Sequence, residues 1–317
     1  MKNLHILLFT FAVLLMSSCE VIDNLKPASK DDKEDETTQP QPTNPTNTNP
    51  TDTTSAPIVE TVAQDLVNQS YGNDDLQKYD MHLPAKRSQT ATKVVIILHG
   101  GSWKELDKGF MNNYVNQIKS KGDNWVIVNA NYRLTFQNGI KYDQQIEDIN
   151  TIVNKVLSLR KQHNYSDKIY LLGASAGGHL ALAYAYTVDK LKYIKGVSVI
   201  AAPIDLTSDK IRVGQFGQDI EKMVGKPYGE APDEYKRVSP RYQVSKSVPP
   251  TILFYGGNDS FIPADQGEFL VQQLQANGIS RSYNFYPEQT HEWMLLNETI
   301  DKTLAFFGDD PADNTRN

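Results

Sequence analysis

The run Leu171-Leu172-Gly173-Ala174-Ser175-Ala176-Gly177-Gly178-His179-Leu180 constrains this chain more than any other stretch. It must pass from strand to helix through a very tight turn. Ile169 to Leu172 is short, β-branched and aliphatic, and His179 to Val188 carries alanine and leucine at helical density. Only small residues stand at 173, 174, 176, 177 and 178, in the pattern Gly-x-Ser-x-Gly. A serine hydroxyl becomes a useful nucleophile when it is held at the tip of such a turn beside a base. The flanking positions must then be small, because strand and helix backbones nearly touch. The same pattern also fits an ordinary glycine-containing loop, so the rest of the chain has to decide.

Upstream of any folding segment, Met1-Lys2-Asn3 is a short basic start and Leu4 to Met16 a hydrophobic run, too short for a typical membrane-spanning helix. It ends in Met16-Ser17-Ser18-Cys19, which resembles the lipobox of bacterial lipoproteins, with Met16 where leucine is usual. The resemblance implies that residues 1–19 are a lipoprotein signal and that Cys19 is lipidated. A secretory signal cut elsewhere and a signal anchor are the alternatives. Cys19 is the chain's single cysteine, so neither a disulfide nor a cysteine-based metal site accounts for it. Residues 20–57 read as a disordered tether, rich in proline, threonine and asparagine, that buries too little apolar surface to offset the entropy of ordering. Eight acids against three lysines there leave five of the chain's six net negative charges in the tether. The remainder is close to neutral. It offers no basic footprint for nucleic acid, so no nucleic-acid partner is expected.

About 260 residues remain, 58–317, enough for one large domain. Lys93 to Leu98 and Trp125 to Ala130 are near-continuous apolar strands, the signature of a sheet buried on both faces. Strands are also expected at Gln77–Pro84, Lys195–Ile200, Thr251–Tyr255 and Ser282–Tyr286. Ile146, Ile149, Val153, Val156 and Leu157 mark one face of a helix, and helices are expected at Asp265–Asn277 and from about Asn297 to Phe307. Strands alternating with helices predict an α/β fold, a mostly parallel doubly wound sheet with helices on both faces. Sites in such sheets form at the carboxyl ends of the strands.

Three turns stand at those ends in order: His99-Gly100-Gly101-Ser102-Trp103, Asn131-Tyr132-Arg133-Leu134 and Gly173-x-Ser175-x-Gly177. Together they resemble the α/β-hydrolase superfamily across the whole domain, and within it the small carboxylesterases and carbohydrate esterases, including feruloyl- and acetyl-esterase-like members. The resemblance implies the chain order nucleophile, acid, base. Ser175 is the nucleophile. Asp259, in Gly256-Gly257-Asn258-Asp259-Ser260 after a strand, is the acid, with Asp205 and Asp265 as rivals. His291, after the last strand, is the base. Oxyanion donors are expected from the backbone at Ala176, Gly101 and Ser102, although the commoner motif has glycine at the position of Ser102. His99 and Trp103 are expected to support the turn, and Arg133 and Asp148 to be structural.

The reading that follows is a serine hydrolase of carboxylic esters, acting on small-molecule esters or on acyl decorations of polysaccharides and held to a bacterial membrane, the outer membrane by preference, through a lipid anchor in the bilayer. A prolyl-oligopeptidase-like peptidase, a formamidase and a non-catalytic binding lipoprotein are the alternatives, because triad chemistry does not separate ester from amide and fold does not imply function. No spacing implies a metal site or an organic cofactor. The segment Leu206 to Tyr242 interrupts the alternation and reads either as a lid or pocket-side insertion or as a surface excursion.

Overall fold

In the computed structural model the chain is described over residues 59–308, apart from 123, 138 and 215. The signal, Cys19 and the tether through Pro57 lie outside the described residues. The described part falls within one unit, Thr53–Asn317.

The elements follow the apolar runs. In chain order they are β1 (Val59–Glu60), β2 (Gln64–Ser70), β3 (Lys78–Leu83), β4 (Lys86–Arg87), β5 (Lys93–Leu98), α1 (Asn112–Ser120), β6 (Trp125–Ala130), α2 (Tyr142–His163), β7 (Ile169–Ala174), α3 (Ala176–Thr187) and β8 (Ile194–Ile200). Three short helices come next: α4 (Asp209–Arg212), α5 (Gly217–Val224) and α6 (Pro232–Arg237). Then β9 (Thr251–Gly256), α7 (Asp265–Ala276), β10 (Arg281–Tyr286) and α8 (Leu296–Gly308) complete the described chain.

Eight strands form one sheet in the order β10-β9-β8-β7-β5-β6-β3-β2, while β1 and β4 pair separately. From β5 to β10 every pairing is parallel, and β3 and β2 are added antiparallel at one edge. The period of two along β5 divides its side chains between two cores. Val94, Ile96 and Leu98 pack with Ile149, Val153 and Leu180 of α2 and α3. Val95 and Ile97 pack with Tyr114 and Ile118 of α1 and with Ile300 and Phe307 of α8. Burial on both faces is what a continuous apolar strand requires.

Besides the short β1, β4, α4, α5 and α6, two longer elements were not expected from the sequence. Strand β2 is polar and almost wholly exposed, so it carries no alternation to reveal it. Helix α1 buries only Tyr114, Val115 and Ile118 among polar neighbours. The chain leaves β5 to one side for β6 and then crosses to the other for β7, so the sheet has its switch point at β5. Leu98 pairs in register with Gly173, and Gly256 with Tyr286, which brings the ends of β5 and β7, and of β9 and β10, level with each other.

Candidate active site

Strand β7 ends at Ala174 and α3 begins at Ala176, so Ser175 alone makes the turn. Its φ of 49° and ψ of −120° lie where a side chain is rarely tolerated. The surroundings enforce it: Ser175 N–H donates to the Ile200 carbonyl at 2.8 Å, and His179 N–H donates to the Ser175 carbonyl at 3.0 Å. A Cβ on Gly177 would collide with the carbonyl oxygens of Leu98 and His99, so α3 can start against the end of β5 only with glycine there.

The loops after β9 and β10 supply the other two groups. Gly257 N–H donates to the Tyr286 carbonyl at 2.9 Å and Asn258 N–H to the Gln289 carbonyl at 3.0 Å, which laces the loops together. A Cβ on Gly256 would strike the Gln289 carbonyl oxygen, so this approach too needs glycine. His291 then lies with Nδ1 2.8 Å from Asp259 Oδ2 and Nε2 3.1 Å from Ser175 Oγ. A carboxylate can only accept, so Nδ1 carries the proton and the Nε2 lone pair faces the serine hydroxyl. The Asp259 side chain is fully buried, and its Oδ1 accepts from the N–H groups of Phe261 and Ile262 at 2.8 Å each. Those bonds hold the carboxylate in the orientation His291 needs.

The rival acids are engaged elsewhere. Asp205 accepts from Arg241 Nη1 at 2.6 Å, and Asp265, the first residue of α7, accepts from Lys210 Nζ at 2.6 Å. Asp148 is buried and accepts from Arg133 Nε at 2.9 Å, from Arg133 N–H at 2.7 Å and from Gln77 Nε2 at 2.7 Å. That network pins the turn after β6 to α2.

Across from Ser175, Gly101, Ser102 and Trp103 follow one another at φ of 102°, 50° and 62°. Three successive residues with positive φ curl the backbone into a tight turn. Among the described residues, the N–H groups of Gly101, Ser102 and Ala176 have no hydrogen-bond partner. The turn is braced from below. The Trp103 carbonyl accepts from Thr135 N–H and Gln145 Nε2, both at 2.9 Å, and the Tyr132 hydroxyl donates to the His99 carbonyl at 2.9 Å. Trp103 Nε1–H donates to His179 Nδ1 at 3.1 Å, while His179 Nε2 donates to the Val238 carbonyl at 2.8 Å. Burial pushes the imidazoles of His179 and His99 down to about 4, so both rings are neutral at pH 7. The role of His179 went unread in the sequence. Its signal was a lone polar residue in the otherwise apolar run from Ala176 to Ala185.

Ser175 opens onto a cavity of about 590 Å³. Leu106, Phe110, Tyr114, Phe216, Phe261 and Trp293 give it apolar and aromatic walls, and Glu105 and Glu292 are its charged lining residues. Phe216 comes from the Leu206–Tyr242 segment and packs on Phe261 with ring centroids 5.3 Å apart. The segment is therefore a pocket-side insertion rather than a surface excursion.

This sheet, with a serine turn after its central strand and an acid and a histidine on later loops, is an α/β-hydrolase fold. The chain matches the family BD-FAE over residues 79–274 and belongs to it. Among characterised relatives it is 25% identical over 251 residues to the isoprenylcysteine alpha-carbonyl methylesterase of Arabidopsis thaliana, covering 73% of this chain and 57% of the relative. It is 24% identical to the esterase LipC of Mycobacterium tuberculosis, covering 69% of this chain and 56% of the relative. The chain thus spans little more than half of either. Against the kynurenine formamidase of Danio rerio it is 25% identical, covering 76% and 79%. Two solved structures share the fold. A truncated carbohydrate esterase from gut microbiota has a TM-score of 0.66 at 19% identity, over 79% of this chain and 99% of that one. Esterase B from Lactobacillus rhamnosis has a TM-score of 0.64 at 22% identity, over 80% and 87%.

Proposed function

We propose that this protein is a serine hydrolase of carboxylic esters, acting on small acyl esters or on acyl decorations of polysaccharides. The observation that carries the reading is the chain of contacts from Ser175 Oγ through His291 to a buried Asp259, at 3.1 and 2.8 Å, beneath an open cavity. The esterase and methylesterase names of the relatives support it.

The steps follow from where charge develops. Ser175 Oγ bonds to the ester carbonyl carbon while its proton passes to His291 Nε2. Asp259 keeps the ring in the productive tautomer and stabilises the imidazolium. The carbonyl oxygen becomes an oxyanion and is met by the N–H groups of Ala176, Gly101 and Ser102, already in place. One such donor is worth roughly a hundred- to a thousand-fold in turnover. The carbon–oxygen bond to the alcohol then breaks, and the alcohol leaves with the proton from Nε2. Water attacks the acyl-enzyme, His291 takes the water proton, and the acid departs as Ser175 regains its own.

A second reading, cleavage of a formamide, has one observation in its favour: the formamidase relative is matched over more of its length than the two esterases above. The test is hydrolysis of 4-nitrophenyl acetate and N-formylkynurenine by the wild type and by Ser175→Ala. Ester turnover that falls at least about a thousandfold in the variant is expected. Turnover indifferent to that substitution overturns the assignment, and formamide-only turnover selects the second reading.

For location, lipidation of Cys19 would hold the domain to a bacterial membrane, the outer membrane by preference, at the end of an acidic spacer. Cys19→Ala should move the protein from the membrane to the soluble fraction, and retention of the variant at the membrane would exclude the anchor.

A further inference from the structure

The cavity in front of Ser175 carries charge of one sign. Its lining includes Glu105 and Glu292 and, among the described residues, no lysine or arginine. Both glutamates are exposed, and among the described residues neither side chain has a hydrogen-bond or ion-pair partner. The cations nearest to Glu105 in the sequence are held by other acids: Lys104 Nζ lies 2.8 Å from Asp219 Oδ2, and Lys108 Nζ 2.7 Å from Asp80 Oδ2. Each glutamate is also joined to one part of the reacting machinery. Glu105 N–H donates to the Gly101 carbonyl at 3.0 Å, within the oxyanion turn, and Glu292 directly follows His291.

Charge in such a place acts on the substrate. Low-dielectric walls focus the field of a cleft lined by one sign, which concentrates molecules of opposite charge and repels those of like charge. Here the walls are apolar and aromatic, and the third acid, Asp259, is buried behind His291 and bonded to it. An ester bearing a carboxylate near its scissile bond would meet two unpaired carboxylates and no cation to receive its own. A neutral ester meets no such repulsion, and a cationic one is attracted. The acid product, ionised at neutral pH, is repelled in the same way.

Resting on the serine-esterase reading, we infer that Glu105 and Glu292 form a charge filter that admits neutral and cationic esters and turns away anionic ones. The substrate class is thereby narrowed to acyl esters of uncharged or cationic alcohols, neutral sugars among them, against those of uronates and other anionic alcohols.

The test compares three acetates with the full-length protein at low salt, followed by proton release: acetylcholine, its neutral isostere 3,3-dimethylbutyl acetate, and the anion 4-acetoxybutanoate. An exposed charge pair is worth up to about fivefold, and each glutamate attracts one ester while repelling another. The cationic-to-anionic ratio of kcat/KM should therefore fall at least about tenfold when Glu105→Gln and Glu292→Gln are combined, with the neutral ester between the other two. Comparing that ratio between the two proteins cancels the intrinsic reactivity of the esters, any general loss of activity, and the charge of the acidic residues 20–57, which both share. In the wild type, 1 M NaCl shortens the Debye length to about 3 Å and should shrink the ratio similarly, a readout that needs no variant to fold. A ratio unmoved by the substitutions, or unmoved by salt in the wild type, would overturn the filter while leaving the esterase reading intact. Absence of turnover on every ester would overturn both.

Discussion

Acidification should loosen the turn that carries Gly101 and Ser102, and the cause is a pair of buried imidazoles. His179 accepts from Trp103 at Nδ1 and donates to Val238 from Nε2, an arrangement open only to the neutral ring. Once protonated, Nδ1 would present a second donor to the Trp103 N–H. Burial accordingly pushes His179 from 6.5 down to about 4, and His99, beneath the same turn, to about 4 as well. In the unfolded chain both rings titrate near 6.5. Below that pH the unfolded chain takes up protons that the folded chain refuses. The stability is fully present above pH 6.5 and is lost as pH falls toward 4. At about 1.4 kcal/mol per pH unit, each ring forfeits about 2 kcal/mol by pH 5, or about 4 kcal/mol for the two. Urea unfolding midpoints between pH 7.5 and 4.5 measure this directly. His179→Gln keeps an acceptor and a donor but does not titrate, so it should lower the pH slope by about half. A wild-type midpoint that is flat from pH 7 to 5 would refute the reasoning, as would a variant with an undiminished slope.

Two further outcomes are expected. Asp259→Asn keeps an oxygen for the Phe261 and Ile262 N–H groups but turns an amide toward His291 Nδ1, which imposes the wrong tautomer. Esterase kcat should fall about 10⁴-fold while the melting temperature stays within a few degrees, and retention of a tenth of the activity would show that His291 is oriented by something else. Ser102→Gly relieves a side chain held at φ 50°, so it should raise stability by up to about 1 kcal/mol. A lowered melting temperature would mean that the serine side chain contributes more than its backbone costs.

Much of this arrangement could be read in the sequence because its parts are local. Lys93 to Leu98 is apolar without alternation, and only a strand covered on both faces wants that. Ser175 is announced by neighbours that cannot carry a side chain, and the structure gives the reason in the carbonyls of Leu98 and His99 against Gly177. Asp259 and His291 follow from the resemblance, which implies an acid and then a histidine in the loops after later strands of the sheet. What could not be read was made by contact between distant segments. Strand β2 is held by backbone pairing to β3 at the sheet edge, and its exposed side chains have no core to satisfy. The small space beside Ser175 joins Trp103, Ile211, Ile220 and Ile262 from two loops and two short helices, and each of those residues alone is an ordinary buried apolar side chain. The same holds for His179, whose partners Trp103 and Val238 lie 76 positions before it and 59 after it. Catalytic type is therefore carried by short motifs with strict steric demands, whereas selectivity is carried by ordinary residues that only the completed fold brings together. Substitutions at Phe216, in the wall of the cavity, should accordingly change which ester is cleaved, and substitutions at Ser175 or Asp259 whether any is.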